Sequence, residues 1–254
     1  MTACSNILGV RVSAINMVRA LEIIDGWIQR REGHYVCVTG VHGIVESHRR
    51  EEVRKIHNAA GLVAPDGMPL VWLSRINGYQ WVSRVYGPDL MLAVCGGSLE
   101  RGYRHFLYGG APGVAERLAE RLVGRFPGLT IAGLYSPPFR SLSPREDNAI
   151  SDRIARSRAN IVWIGISTPK QELWMAQHVK RLAPAVLIGV GAAFDFHAGL
   201  KKQAPRWMMQ SGLEWLFRLG CEPLRLGPRY LRNNPLFLWL VMLQMLGLQN
   251  HPEY

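Results

Sequence analysis

The chain of 254 residues carries 30 Lys and Arg against 19 Asp and Glu, a formal charge of +11, and is 48% hydrophobic. That apolar content excludes a disordered chain, and the positive charge favours anionic partners (nucleic acid, anionic lipid or a phosphorylated substrate) without choosing among them. No run approaches the roughly 20 apolar residues of a membrane-spanning helix, and Cys4, Cys37, Cys95 and Cys221 form neither a Cys-x-x-Cys pair nor a zinc-binding spacing.

Met1 to Val10 has no basic stretch followed by a long apolar core, so no signal peptide is expected, and the cysteines read as reduced thiols. Ile7 to Val12 is short and β-branched and reads as one strand. Ile15, Val18, Leu21, Ile24 and Ile28 then recur at helical spacing. Tyr35 to Val38 is a second strand, followed by a mixed helical stretch through Ile56. Leu62-Val63-Ala64 ends in the turn-like Pro65-Asp66-Gly67. Phe106-Leu107-Tyr108 runs into Gly109-Gly110, and Val114, Leu118 and Leu122 mark one face of the next helix. Leu129 to Leu134 is another strand, and Ser143-Pro144-Arg145-Glu146 reads as a capping box with proline at the first helical position.

Ile161 to Ile164 is a buried-strand run that opens through Gly165 into Ser167-Thr168-Pro169-Lys170-Gln171-Glu172. There Thr168 is the expected N-cap, Pro169 the first helical residue and Gln171 the capping-box partner. A helix N-terminus placed so offers backbone N–H groups to an anion. Val186 to Val190 is again strand-like. Strands alternating with helices argue for parallel β-α-β units and an α/β sandwich, in which ligands sit beyond the carboxyl ends of the strands. Thr39, Asp66, Gly109, Gly165 and Gly191 all fall at such ends.

Composition changes near Lys201. From there to Arg232 the basic residues are Lys201, Lys202, Arg206, Arg218, Arg225, Arg229 and Arg232, against only Glu214 and Glu222, with Trp207, Trp215, Phe217 and Tyr230 interleaved. Pro235 to Leu248 is almost wholly apolar but too short to span a bilayer. Two readings are open: an element lying in a membrane interface, or a terminal helix packed on the core with its arginines solvated. The expected division is therefore an α/β catalytic domain over 1–200 and a basic, amphipathic appendage over 201–254.

Asp66 is the candidate general base, since a carboxylate in a glycine turn at a strand end can face a ligand. The plainer alternative is that it caps a helix beginning near Met68. Gly109-Gly110-Ala111-Pro112-Gly113 either brings backbone N–H groups to a phosphate or is a simple strand-to-helix turn. Gly189-Val190-Gly191-Ala192-Ala193-Phe194 fails as a dinucleotide fingerprint at Phe194. The sequence has no Asp-x-Asp pair, so no metal is expected on a diphosphate.

Several runs together resemble the WecG/TagA/CpsF family, glycosyltransferase family 26: Ala64-Pro65-Asp66-Gly67, Arg84-Val85-Tyr86-Gly87-Pro88-Asp89, Leu107 to Gly113, Gly165 to Glu172, Val190 to Phe196, and Ala204 to Trp207 with Gly212 to Leu219. The resemblance implies an α/β fold of the GT-E type with a C-terminal helical membrane-binding appendage. It implies an inverting transferase that moves a hexose from a UDP-sugar to a polyprenyl-diphosphate-linked sugar, without a cofactor, as a peripheral protein at the cytoplasmic face of a bacterial inner membrane. Asp66 takes the place of the proposed base. Thr39, Arg84 and Gln171 fall where the family lines its pocket, and Arg218 and Arg225, with Arg229 beside them, where the lipid diphosphate is engaged. Gly109, Gly110, Tyr135, Gly165 and Asp195 form the expected UDP-binding set.

Two departures stand out. Thr39-Gly40-Val41-His42 replaces the family's Thr-x-Asn, so that either His42 takes over the polar role or the sugar contact differs, and Pro228 interrupts the usual paired arginines. The run Val38 to Gly43 is closer to exopolysaccharide glucosyltransferases, so glucose and N-acetylmannosamine are both expected sugars. The competing reading is a non-catalytic basic module that binds anionic lipid or RNA; the transferase reading expects no nucleic acid and allows a homo-oligomer.

Overall fold

The computed structural model describes residues 2–252; Met1, where the signal-peptide reading starts, and Glu253 and Tyr254, where the appendage ends, lie outside the described residues. In chain order the elements are β1 (Cys4–Ile7), β2 (Val10–Ser13), α1 (Met17–Arg30), β3 (Tyr35–Thr39), α2 (Val41–Arg49), α3 (Glu51–Asn58), β4 (Leu62–Pro65), α4 (Met68–Ile76) and α5 (Gly87–Arg101). They continue as β5 (Arg104–Gly109), α6 (Val114–Arg125), β6 (Thr130–Tyr135), α7 (Pro144–Ser157), β7 (Ile161–Gly165), α8 (Lys170–Leu182), β8 (Val186–Gly189) and α9 (Ala193–His197). The C-terminal helices are α10 (Arg206–Gln210), α11 (Glu214–Cys221) and α12 (Pro223–Met245).

The fold is α/β: a six-stranded parallel sheet in the order β4-β3-β8-β7-β5-β6, flanked by helices, and a separate antiparallel pair β1-β2. Every residue of β3 and β8 is buried, as is each residue of β7 up to Gly165. Helices on both faces of a parallel sheet explain why these strands read as continuous apolar runs rather than alternating ones. The β5–β7 register sets Gly109 opposite Gly165, and β6 shifts register against β5 between His105 and Phe106.

Three expected elements differ in detail. Ile7 to Val12 is not one strand but a hairpin with Ile7 opposite Val10. Leu8 and Gly9 both have positive φ, 53° and 84°, as a tight hairpin turn of that hand requires. Asn6 Oδ1 accepts from Gly9 N at 2.9 Å and so closes the turn. The box expected at Thr168 does not form: α8 starts at Lys170 with Pro169 as N-cap and no side-chain cap. The Thr168 hydroxyl donates instead to Glu172 Oε1 at 2.9 Å. The box at Ser143 does form, with Ser143 Oγ accepting from Glu146 N and Glu146 Oε2 accepting from Ser143 N.

The third difference is α12, which begins at Pro223 rather than near Pro235 and holds Pro228 and Pro235 in its interior. Each internal proline leaves the carbonyl four residues earlier without a helical donor. Those carbonyls belong to Leu224 and Leu231, which are 94% and 77% exposed.

The chain divides into two compact units, one of 1–16, 39–86 and 203–254, the other of 17–38 and 87–202. The core of the first joins Ile7, Leu8, Val10 and Val12 to Ile44, Val45, Val63 and Leu70, and to Phe237, Leu240 and Val241 of α12. A smaller cluster of Tyr86, Ala204 and Met209 seats α10. The second unit holds β3 up to Val38 and the strands β8-β7-β5-β6, with Phe106, Leu107, Tyr108 and Trp163 fully buried. Among the described residues no helix is long and apolar enough to cross a membrane.

Candidate active site

In the first unit, Asp66 follows the last residue of β4, and its N–H donates to the carbonyl of Thr39, the last residue of β3, at 2.9 Å. Gly67, not Asp66, is the N-cap of α4, and α4 has no side-chain cap. The carboxylate is therefore free of the capping task and turns to Arg84. Arg84 Nε and Nη2 donate to Asp66 Oδ1 at 3.3 and 3.1 Å, and Nε also donates to the Asp66 carbonyl.

Nη2 of Arg84 makes a closer contact, 2.5 Å, with Glu214 Oε2 at the start of α11. Tyr86 donates its hydroxyl to the other oxygen of Glu214 at 3.3 Å, and Arg84 lies 4.2 Å over the Tyr86 ring. Two carboxylates thus share one guanidinium. The Asp66 side chain is still 28% exposed, against 16% for Arg84 and 12% for Glu214.

Burial pushes the Asp66 carboxyl above its ordinary range; Arg84 opposes this, Glu214 adds to it, and Arg218 of α11 opposes it. Burial works against the charge of Arg84, but Asp66 and Glu214 hold it protonated. Burial, reinforced by Glu214 and Asp66, keeps the Tyr86 phenol a donor. A carboxylate that binds protons more readily than usual, reachable by solvent and oriented by a fixed cation, is suited to general-base work.

The other expected residues of this unit fall into separate networks. The Thr39 hydroxyl lies 3.1 Å from Nε2 of His57, a fully buried histidine whose Nδ1 is 2.9 Å from Val53 O. With Nδ1 as donor to that carbonyl, Nε2 is the acceptor and Thr39 donates. His42 Nδ1 is held by Asn233 of α12 at 2.9 Å, and Asn233 accepts from Arg49 at 2.9 Å. Arg225 is paired with both oxygens of Glu222 at 2.6 and 2.7 Å. Arg229 is half-buried with its Nε unpartnered; burial lowers its guanidinium, Tyr230 opposes this, and Arg218 and Arg225 add to the lowering.

In the second unit the glycine strand ends come together. A Cβ on Gly109 would lie 2.6 Å from the Gly165 carbonyl group, and one on Gly165 would lie 2.5 Å from the Phe194 ring. Gly110 N donates to Gly165 O at 3.1 Å, so this N–H serves the fold and is not an open phosphate donor. Gln171 rests against Gly189 and Gly191, the glycines leaving room for its amide. Its Nε2 donates to Glu172 Oε1 at 3.0 Å, while Gln171 Oε1 and Glu172 Oε2 are buried without partners. Tyr135 stacks on Tyr108 at 6.2 Å, and Asp195 is paired with Lys201 at 3.1 Å.

Glu214, Tyr86, His57 and Glu172 were not singled out from sequence as site residues. The available signal for Glu214 was its rarity, one of two acids in the basic stretch 201–232. Among the described residues no three His, Cys, Asp or Glu side chains converge as metal ligands would.

A sequence model of the glycosyl transferase WecG/TagA/CpsF family matches residues 5–251, and the chain belongs to that family. It is 28% identical over 199 residues to the N-acetylglucosaminyldiphosphoundecaprenol N-acetyl-beta-D-mannosaminyltransferase of Bacillus spizizenii (strain W23), covering 78% of this chain and 76% of the relative. It is 30% identical over 168 residues to the enzyme of the same name from Bacillus subtilis (strain 168), covering 66% of this chain and 64% of that protein.

Proposed function

We propose that the protein transfers a hexose from a UDP-sugar to a polyprenyl-diphosphate-linked sugar, with inversion at the anomeric carbon. The observation that carries this reading is the solvent-reachable Asp66 carboxylate, held by Arg84 beside Glu214. Both relatives bear names that describe transfer onto a sugar joined by diphosphate to undecaprenol.

In the proposed step Asp66 accepts the proton of an acceptor hydroxyl as that oxygen bonds to the anomeric carbon. The bond from that carbon to the UDP oxygen breaks on the opposite face, and UDP leaves with the electron pair. Charge that develops on a leaving diphosphate is stabilised by cations set in place beforehand. Arg218, Arg225 and Arg229 are the cations assigned to the two diphosphates, and Thr39, His42 and Gln171 to the sugars. Gly109, Gly165, Tyr135 and Asp195 are assigned to UDP. Gly110 shapes that loop through its backbone conformation, with φ +76°, rather than by donating.

Segment 203–254 is the proposed membrane-facing part. Its helix α12 buries Phe237, Leu240 and Val241 and exposes Leu224, Leu231, Leu238 and Met245 at seven-residue steps. An apolar stripe beside arginines supports peripheral attachment to an anionic bilayer. The transfer is assigned no metal, on the ground that the sequence lacks an Asp-x-Asp pair.

The test is a donor screen. UDP-glucose, UDP-N-acetylmannosamine and UDP-N-acetylglucosamine are each offered with a short-chain polyprenyl-diphosphate-sugar, and UDP release and product mass are read with and without EDTA. One donor is expected to give a product heavier by one hexose unit, at a rate EDTA leaves unchanged. Thermal stabilisation by RNA oligomers but not by UDP, with no product, would favour the basic binding module instead.

A further inference from the structure

Arg84 is the joint between two chain segments 130 residues apart in sequence. Its Nη1 donates to Met209 O of α10 at 3.4 Å, Nη2 reaches Glu214 of α11, and Nε and Nη2 reach Asp66. The contacts are unequal. Glu214 holds the guanidinium at 2.5 Å, whereas Asp66 Oδ1 lies at 3.1 and 3.3 Å. A charge-assisted bond of N–H to carboxylate is strongest near 2.7–2.9 Å and weakens beyond it. The Arg84 Nε is also held closely by the Asp66 carbonyl, so it is only between the two carboxylates that the guanidinium is committed more closely to Glu214 than to Asp66.

We propose that Glu214 is a positioning residue for the reaction: by holding the Nη2 end of Arg84 at 2.5 Å it keeps the guanidinium from closing on the Asp66 carboxylate, which is left to act as base. The inference rests on the reading of Asp66 as the base. The groups that face Asp66 are Arg84 and Tyr86, both ahead of α5, and Glu214 and Arg218 on α11. Replacing Glu214 by a neutral residue removes a negative charge from this set and releases Arg84 to close on Asp66. Both changes act in one direction, towards a weaker base.

The test is the pH dependence of kcat/KM for full-length Glu214→Gln and Glu214→Asp variants. Glu214→Gln is expected to move the acid limb down by about one pH unit, the low end of what an unshared cation exerts on a carboxylate. Turnover on the plateau should fall roughly tenfold, with the donor KM little changed, since a weaker base lowers the rate of proton removal. Glu214→Asp keeps the charge but withdraws it by one methylene, so its limb should move part of the way in the same direction. It also carries the test if the glutamine variant fails to fold.

Acid limbs that coincide with wild type in both variants would overturn the positioning role and leave α11 a merely structural element. Asp66→Asn is run beside them. If it is inactive while the limbs coincide, only the inference about Glu214 falls; if it turns over normally, the reading of Asp66 as base falls and the inference with it.

Discussion

Asp66→Asn sets two readings of one carboxylate against each other, because they differ in sign. If Asp66 and Arg84 form an ordinary buried ion pair, removing one charge strands the other and costs about 3–5 kcal/mol. For a domain of 150–250 residues each kcal/mol moves Tm by about 2–4 °C, so Tm should drop by roughly 6 °C or more. The geometry argues otherwise, since Arg84 keeps Glu214 at 2.5 Å and is not stranded. Burial raises the folded carboxyl above its ordinary value. A raised folded pKa contributes stability that is complete below the unfolded value, near 3.8, and is lost as pH rises through the folded value. At pH 7.5 the ionised Asp66 is then a net cost to folding, and asparagine removes it. The expected result is a Tm at pH 7.5 equal to or above wild type, with that gain shrinking as pH falls towards the ordinary carboxylate range. Transfer should fall by about 10²–10⁴-fold, the usual contribution of a general base, or about 3–5 kcal/mol of barrier. Differential scanning calorimetry from pH 7.5 downwards, beside single-turnover transfer, makes the measurement. A variant several degrees less stable at pH 7.5 with near-normal transfer would refute the reasoning.

Two further predictions concern the second unit. Gly165→Ala places a methyl 2.5, 2.7 and 2.9 Å from three atoms of the Phe194 ring. Overpacking of this kind costs about 1–3 kcal/mol, and a double-mutant cycle with Phe194→Leu should recover part of it; additive losses would show that the ring is not the obstacle. His105 Nδ1 accepts from Trp163 Nε1 at 3.0 Å, and burial lowers its imidazole from 6.5 to about 4. That neutral histidine contributes stability present above about pH 6.5 and lost as pH falls towards 4, roughly 3 kcal/mol in all at 1.36 kcal/mol per unit. His105→Gln, which keeps an acceptor for Trp163, should flatten the loss of stability over that window in urea titrations; an unchanged slope would assign it to other groups.

The elements that sequence made legible are those specified by local signals. Ser143-Pro144-Arg145-Glu146 announces α7 because the box is closed by residues three apart. The apolar runs announce β3, β7 and β8 because strands covered on both faces need no polar alternation. The failures come from longer-range chemistry. Thr168 had every local mark of a cap, but α8 starts one residue later, after Pro169, and the Thr168 hydroxyl is turned to Glu172 one turn on. The turn at Leu8-Gly9 was hidden by a leucine at positive φ. Tertiary contacts hold it there: Leu8 is fully buried, and its N–H donates to Gln244 Oε1 of α12 at 3.0 Å. The length of α12 was masked by Pro228 and Pro235, which usually end a helix and here lie inside it, each four residues after an exposed leucine, Leu224 or Leu231.

The same distinction decides which site residues the sequence could yield. The glycine strand ends Gly109 and Gly165 lie in one contiguous stretch, 87–202, and each carries its own signature. The acid cluster does not: Asp66 and Arg84 come from 39–86, and Glu214 from 203–254. A base that must be ionised yet ready to bind a proton cannot be tuned by its sequence neighbours alone, since the one guanidinium that steadies it also weakens it. A second acid must compete for that guanidinium, and at 2.5 Å Glu214 is placed to do so. Because that acid sits on the basic C-terminal segment, the proposed base depends on residues of both 39–86 and 203–254 within the first unit. Loss of the segment should therefore change the chemistry at Asp66 itself, as well as any binding the segment provides.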